Sequence, residues 1–410
     1  MSTRRHLLQA ALAGVALAPW ARLSVAAPAA ESGSGNNFVM LILRGGMDGL
    51  WAVPAIGDPS FADARGALAR YASPPMPLDD IHALHPLLPG LHAGWGRGEL
   101  AVVHAVGLPY RERSHFDAQQ VLESGGQRPH ELTTGWLGRA LQASHGASSA
   151  SNASSASSAR GGLKAVALQT APPLILRGGA AVDSWAPSVL PEPTPDLVAR
   201  LETLYRSDPA LAQALARARG LRDDPGMADN PPGMAGGGRN GQALALARKA
   251  AEFLQRGTPV AVMELGGWDS HANQAAPGGA LSNNLRTLDA VLQALREGLL
   301  PGGAWDRTVV LVATEFGREV APNGTQGSDH GTGGAALLLG GAVQGGRVIS
   351  DWPGLARKDR FEGRDLRITT DLRAVLRPIL ADHLGVPRAA LDATVLPGSA
   401  AVKSLDLLRG

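Results

Sequence analysis

Six short, almost unbroken apolar runs limit what this chain can become: residues 38–43, 100–106, 163–168, 259–265, 308–313 and 336–339. A strand with one wet face alternates apolar and polar residues, whereas a strand covered on both faces is apolar throughout. The runs therefore read as strands of a parallel sheet buried between layers. Helical patterns lie between them, over 196–219, 243–255, 283–298 and 370–384, the last opened by Thr370 as cap and closed by Gly385. Strand alternating with helix gives the α/β class: a mostly parallel central sheet with helices on both faces.

The polar residues fall where such a sheet binds ligands, beyond the carboxyl ends of its strands. The first run leads into Arg44-Gly45-Gly46-Met47-Asp48-Gly49 and the second into Arg113-Ser114-His115-Phe116-Asp117, with Ser114 at a helix start. The fourth leads into Gly267-Trp268-Asp269-Ser270-His271 and the fifth into Thr314-Glu315-Phe316-Gly317-Arg318. A loop then supplies Asn323 and Ser328-Asp329-His330-Gly331. Taken singly, each has a plain structural use: Asp48 in a turn, Ser114 and Asp117 as a capping box, Glu315 and Arg318 as a surface ion pair. Taken together at one sheet edge, Asp, Glu and His are the oxygen and nitrogen donors that hold divalent metals.

Ahead of the first run stands Arg4-Arg5, then an apolar stretch from Leu7 to about Ala18 and small residues near Ala26 to Ala30. This is the order of a twin-arginine export signal over residues 1–29, and the stretch is too short to span a bilayer. Residues 30–410 then form one domain, working outside the cytoplasm in the periplasm or as a secreted protein, with the twin-arginine translocase as its partner in export. The chain has no cysteine, which excludes disulfides, thiolate metal sites and a lipidated cysteine anchor. Its 38 basic and 36 acidic residues include Arg4, Arg5 and Arg22 in the signal, so the remainder is near neutral and carries no nucleic-acid footprint. Two stretches, 143–162 and 222–241, are rich in small residues or in Pro and Gly and are expected as flexible surface insertions.

The motifs Leu41-Ile42-Leu43-Arg44-Gly45-Gly46-Met47-Asp48-Gly49-Leu50, Arg113-Ser114-His115-Phe116-Asp117, Gly267-Trp268-Asp269-Ser270-His271, Thr314-Glu315-Phe316-Gly317-Arg318, Ser328-Asp329-His330-Gly331 and Thr369-Thr370-Asp371-Leu372-Arg373 run in order along the chain. In this combination the chain resembles the domain of unknown function 1501 family and, in fold, the alkaline phosphatase-like superfamily of phosphatases, sulfatases and phosphomutases. The resemblance implies metal ligands at Asp48, Asp269, His271, Glu315, Asp329 and His330 for one or two divalent ions (Zn, Mn, Mg or Ca). It implies a nucleophile at Ser114 with His115 beside it, and Arg318 or Arg44 binding an anionic ester oxygen. The chain departs from the superfamily at Phe316, where a histidine ligand is usual, and in the short spacing of Asp269-Ser270-His271. No Pro-x-Arg follows Ser114, which argues against a formylglycine sulfatase. Two functions are consistent with this: an exported, metal-dependent hydrolase of phosphate or related esters acting on a small anionic ester, or an exported binding or assembly protein that keeps the fold, lacks the chemistry and takes a protein partner.

Overall fold

The computed structural model describes residues 35–151, 164–187, 194–223 and 238–409. The described residues belong to one compact unit, Gly33–Gly410. The expected signal over 1–29 lies outside the described residues, as do 152–162 and 224–237 of the two expected insertions.

Among the described residues nine strands make one sheet. In chain order they are β1 (Asn37–Arg44), β2 (Leu100–Gly107), β3 (Ala165–Ala167), β4 (Asp183–Ser184), β5 (Val260–Gly266), β6 (Thr308–Thr314), β7 (Gly334–Leu339), β8 (Arg347–Ile349) and β9 (Thr370–Asp371). Across the sheet the order is β8-β2-β7-β6-β1-β5-β3-β4, with β9 also paired to β2. β1 lies parallel to both β5 and β6, at the centre. Only β7 runs the other way, antiparallel to β2 and to β6. The sheet is therefore mostly parallel, and the run expected at 336–339 is its one reversed strand.

The alternation of side chains along β1 shows why its sequence is apolar throughout. Phe38, Met40 and Ile42 point into one core and Val39, Leu41 and Leu43 into the other, all 0–1% exposed. The first core is closed by α2 (His115–Ser124), α3 (Trp136–Ser151) and α8 (Leu372–Pro378). The second is closed by α6 (Gly238–Gln255) and α7 (Ala280–Leu299), with α1 (Pro89–Gly96) beside them. Leu281, Leu285, Leu288, Leu292, Leu295 and Leu299 of α7 recur at helical spacing and are all buried.

Three local expectations differ from the structure. The single helix expected over 196–219 is two, α4 (Pro195–Tyr205) and α5 (Pro209–Asp223). Pro209 has no N–H to continue a helix, and the Asp208 carboxylate caps the new one by accepting from the N–H groups of Ala210 and Leu211. At the last helix Thr370 is a strand residue. The cap is Asp371, which accepts from the N–H of Arg373 and pairs with its guanidinium. The stretch from 143, expected as a loop, continues α3 as far as Ser151.

Candidate metal centre

The loop after β1 can only be built from glycine. Gly45 and Gly46 both have positive φ, +119° and +67°, and a Cβ on Gly45 would lie 2.6 Å from the backbone nitrogen of Asp269. The chain thus passes tightly against the loop that follows β5. Arg318, from the loop after β6, is the clamp. Its side chain has no exposure, and it donates to the carbonyls of Gly45 (2.6 Å), Gly46 (2.7 Å), Ser328 (2.9 Å) and Trp268 (3.2 Å), and to the Asp269 carboxylate.

On this base three imidazoles and a carboxylate converge. His115 comes from the first turn of α2, and Asp269 and His271 from the loop beyond β5. His330 precedes β7, and because β7 is reversed, the start of that strand lies at the same edge as the carboxyl ends of the others. Atoms of His115, Asp269 and His330 lie within 4.8 Å of one another. His271 Nε2 lies 3.0 Å from Asp269 Oδ1 and 3.0 Å from His330 Nε2, and His330 Nε2 lies 3.2 Å from the same Oδ1. His115 Nε2, buried and without a hydrogen-bond partner among the described residues, is 3.6 Å from Asp269 Oδ2.

The opposite nitrogen of each ring is held by a group that can only accept. His115 Nδ1 faces Glu315 (2.8 Å), His271 Nδ1 faces Asp329 (2.9 Å) and His330 Nδ1 faces the Arg113 carbonyl (2.9 Å). A neutral imidazole carries one N–H, so these partners fix it on Nδ1 and leave all three Nε2 atoms as acceptors. The Nε2 lone pairs of His271 and His330 and the Asp269 Oδ1 then face each other at hydrogen-bond distance, with the His115 Nε2 lone pair 3.6 Å from Asp269 Oδ2. Only positive charge among them, from a metal ion or from protons on the rings, makes that arrangement favourable.

The electrostatics agree with this division into inner and outer groups. Burial raises the Glu315 carboxyl, but hydrogen bonds from His115 and Gln119 and from the Gly45 backbone outweigh it and hold it at about 2. The hydrogen bond to Glu315 in turn lifts His115 above the ordinary imidazole value, against burial. For Asp269 burial acts upward and the Arg318 hydrogen bond downward, and the net effect is a lowered carboxyl. Asp329 is lowered by its hydrogen bonds to Asn323 and His271. His330 is lowered, chiefly by burial.

The expected site residues thus separate. Asp269, His271 and His330 face the centre, and His115 joins them from α2. Glu315 and Asp329 stand behind His115 and His271 and orient them. Asp48 is elsewhere: it caps the short helix Gly49–Ala52 through the N–H of Trp51, pairs with Arg65 at 2.6 Å and accepts from Gln274 at 2.6 Å, fully buried. Arg318, expected at an ester oxygen, has its donors committed to the loops. Arg44 is likewise held, by Glu264 and Glu123. Ser114 is the N-cap residue of α2 but makes no side-chain cap bond, and Asp117, expected as its box partner, accepts instead from the Tyr110 hydroxyl. Gln119 escaped the sequence reading, although its spacing four residues after His115 places both on one face of α2, and it donates to Glu315 at 3.0 Å.

A family model described as "Protein of unknown function (DUF1501)" matches residues 99–394, well over half of the 410 residues. The chain belongs to this family. All four residues of the centre lie within the span that defines this DUF1501 protein. Comparison with curated proteins gives no match. Among solved structures the DUF1501 chain is similar to the PsFucS1 sulfatase from Pseudoalteromonas sp. (12% identity, TM-score 0.41, covering 92% of this chain and 72% of that one). It is also similar to the phosphonate monoester hydrolase of Agrobacterium radiobacter (13%, 0.32, 86% and 74%) and to the lipoteichoic acid synthase LtaP from Listeria monocytogenes (11%, 0.31, 80% and 71%).

Proposed function

We propose that His115, His271, His330 and Asp269 hold one divalent ion and that the protein is an exported, metal-dependent hydrolase of phosphate or related anionic esters. The observation that carries this reading is the convergence of three Nε2 lone pairs on one carboxylate, each ring locked from behind by an acceptor. Histidines that ligate metal are oriented in this way. Three imidazoles and a carboxylate suit Zn²⁺ or Mn²⁺ better than Mg²⁺ or Ca²⁺, which prefer all-oxygen sites. Phe316 supports one ion in place of two, because its ring packs 4.7 Å from that of His115 and 4.9 Å from that of His330, where a further nitrogen donor is absent.

When bound, the ion would supply Lewis-acid polarisation of an ester oxygen. The protein's own part is to hold the donors. Arg318 keeps the Asp269 carboxylate charged and in place, and Glu315 and Asp329 keep His115 and His271 turned inward. Ser114 stands between Arg113, whose carbonyl holds His330, and His115. Its hydroxyl makes no cap bond at the N-terminus of a ten-residue helix, where developing negative charge is favoured, and it is our candidate nucleophile.

Metal analysis of protein purified without chelator, together with Zn²⁺ and Mn²⁺ titration of the parent and of His330→Ala, tests the centre. We expect one ion per parent chain and a loss of at least tenfold in affinity in the variant. Equal affinities would remove the metal from the proposal. Ser114→Ala should bind metal like the parent and lose esterase activity on p-nitrophenyl phosphate or sulfate. The second reading, a metal-stabilised binding protein without catalysis, is favoured by the phenyl ring at Phe316, and a metal-loaded parent inert on both esters would select it. Among the described residues no helix is long and apolar enough to cross a membrane. Export through the twin-arginine route rests on Arg4 and Arg5, and replacing both by Lys should retain the precursor inside the cell. Processed protein outside the cell would refute that assignment.

A further inference from the structure

Next to the centre, a cleft of about 380 Å³ opens where β5 ends, between the first turns of α6 and α7. Its wall includes Gly266, Gly267 and Trp268, and the next residue in the chain is Asp269 of the centre. The volume lies in the range of small-ligand clefts, roughly 300–1,000 Å³. Among the described residues no Arg, Lys or His lines it. The one charged residue among those that line it, Glu264, forms a two-pronged pair with Arg44 at 2.6 and 3.2 Å.

What the cleft offers is amide chemistry on an apolar floor. Asn240 and Gln242 each bring both donors and acceptors, Asn284 brings its acceptor while donating to the Gly267 carbonyl at 2.6 Å, and Ala243, Leu246 and Leu265 add apolar carbons. A second anionic group would find no cation here, and a hydrocarbon chain would strip water from three amides without replacing it. A polyhydroxylated ring meets both demands: its hydroxyls donate and accept, and its C–H faces cover apolar carbons.

We propose that this cleft binds the neutral, non-reacting part of the substrate and that this part is a carbohydrate, which makes the substrate class a sugar bearing an anionic ester. The proposal rests on the hydrolase reading for its ester and on the cleft alone for its sugar. Two variants probe the cleft: Gln242→Ala removes one exposed amide, and Asn240→Ala with Gln242→Ala removes two.

Two measurements separate the cleft from the centre. Saturation-transfer NMR on the metal-free parent, with a panel of neutral mono- and disaccharides of the common hexoses and N-acetylhexosamines, should detect at least one that binds, and the double variant Asn240→Ala, Gln242→Ala should abolish the signal. On metal-loaded protein, the ratio of kcat/KM for a phosphate or sulfate ester of that sugar to kcat/KM for the matching p-nitrophenyl ester should fall at least tenfold in the double variant and at least threefold in Gln242→Ala. Aryl-ester hydrolysis with no sugar bound by the parent, or an unchanged ratio in both variants, overturns the cleft proposal and leaves the hydrolase. Sugar binding lost in the double variant, with no ester hydrolysed, upholds the cleft and removes the hydrolase.

Discussion

Replacing Asp48 by Asn tests whether the first motif serves the metal centre or the fold. The Asp48 side chain is 1% exposed and that of Arg65 0%. Oδ1 accepts from the N–H of Trp51 at 3.1 Å, and Oδ2 accepts from Arg65 and from Gln274, each at 2.6 Å. Every neighbour of this carboxylate is thus a donor. An amide in its place must turn its NH₂ toward one of them, whichever way it is flipped, and it leaves a buried guanidinium whose remaining acceptors are the carbonyls of Val320 and Glu319. Breaking a buried pair by removing one partner costs about 3–5 kcal/mol. We expect that loss in urea unfolding of the metal-free protein followed by tryptophan fluorescence, read as a lower midpoint at unchanged slope. Metal content at 25 °C should match the parent, because Asp48 is connected to the site loops only indirectly, through Gln274 and its contacts with Ser270 and Ser328. A loss below about 1 kcal/mol would refute the buried-pair argument, and a fall in metal content with stability retained would restore Asp48 as a ligand.

Acid stability should depend on two histidines far from the centre. Burial pushes His104 down to about 3, and burial and Arg286 push His85 down to about 4, so both are neutral in the fold and protonate in the unfolded chain below about 6.5. Their contribution is complete above that pH and is lost as pH falls toward the folded values, at about 1.4 kcal/mol per pH unit for each ring. His104→Gln should lessen the drop in stability between pH 6.5 and 5 by about 2 kcal/mol, and a pH slope identical to the parent would remove His104 as its source. Glu315→Gln keeps an acceptor for His115 but removes the charge behind it. Zn²⁺ affinity measured by calorimetry should weaken by about 10–100-fold with Asp269, His271 and His330 intact, and an unchanged affinity would make Glu315 irrelevant to the centre.

Much of the sheet was legible in the sequence because burial on both faces leaves a local mark. In β1 six successive apolar residues, Phe38 to Leu43, face two cores in alternation, and no long-range knowledge is needed to see that such a run must be covered. The polar clusters behind the strand ends were legible for the same reason, since side chains that leave an apolar strand for a Gly-rich loop have nowhere to bury. What could not be read locally was direction and convergence. The run at 336–339 looks like its neighbours, and only pairing with β2 and β6 makes it antiparallel and brings His330 to the shared edge. Asp48, Asp269 and Glu315 are alike as sequence, each a carboxylate a few residues past a strand. Tertiary structure alone gives Asp48 to Arg65, sets Glu315 behind His115 and turns Asp269 toward three imidazoles, because the role of a carboxylate depends on which charges packing brings within a few ångströms of it.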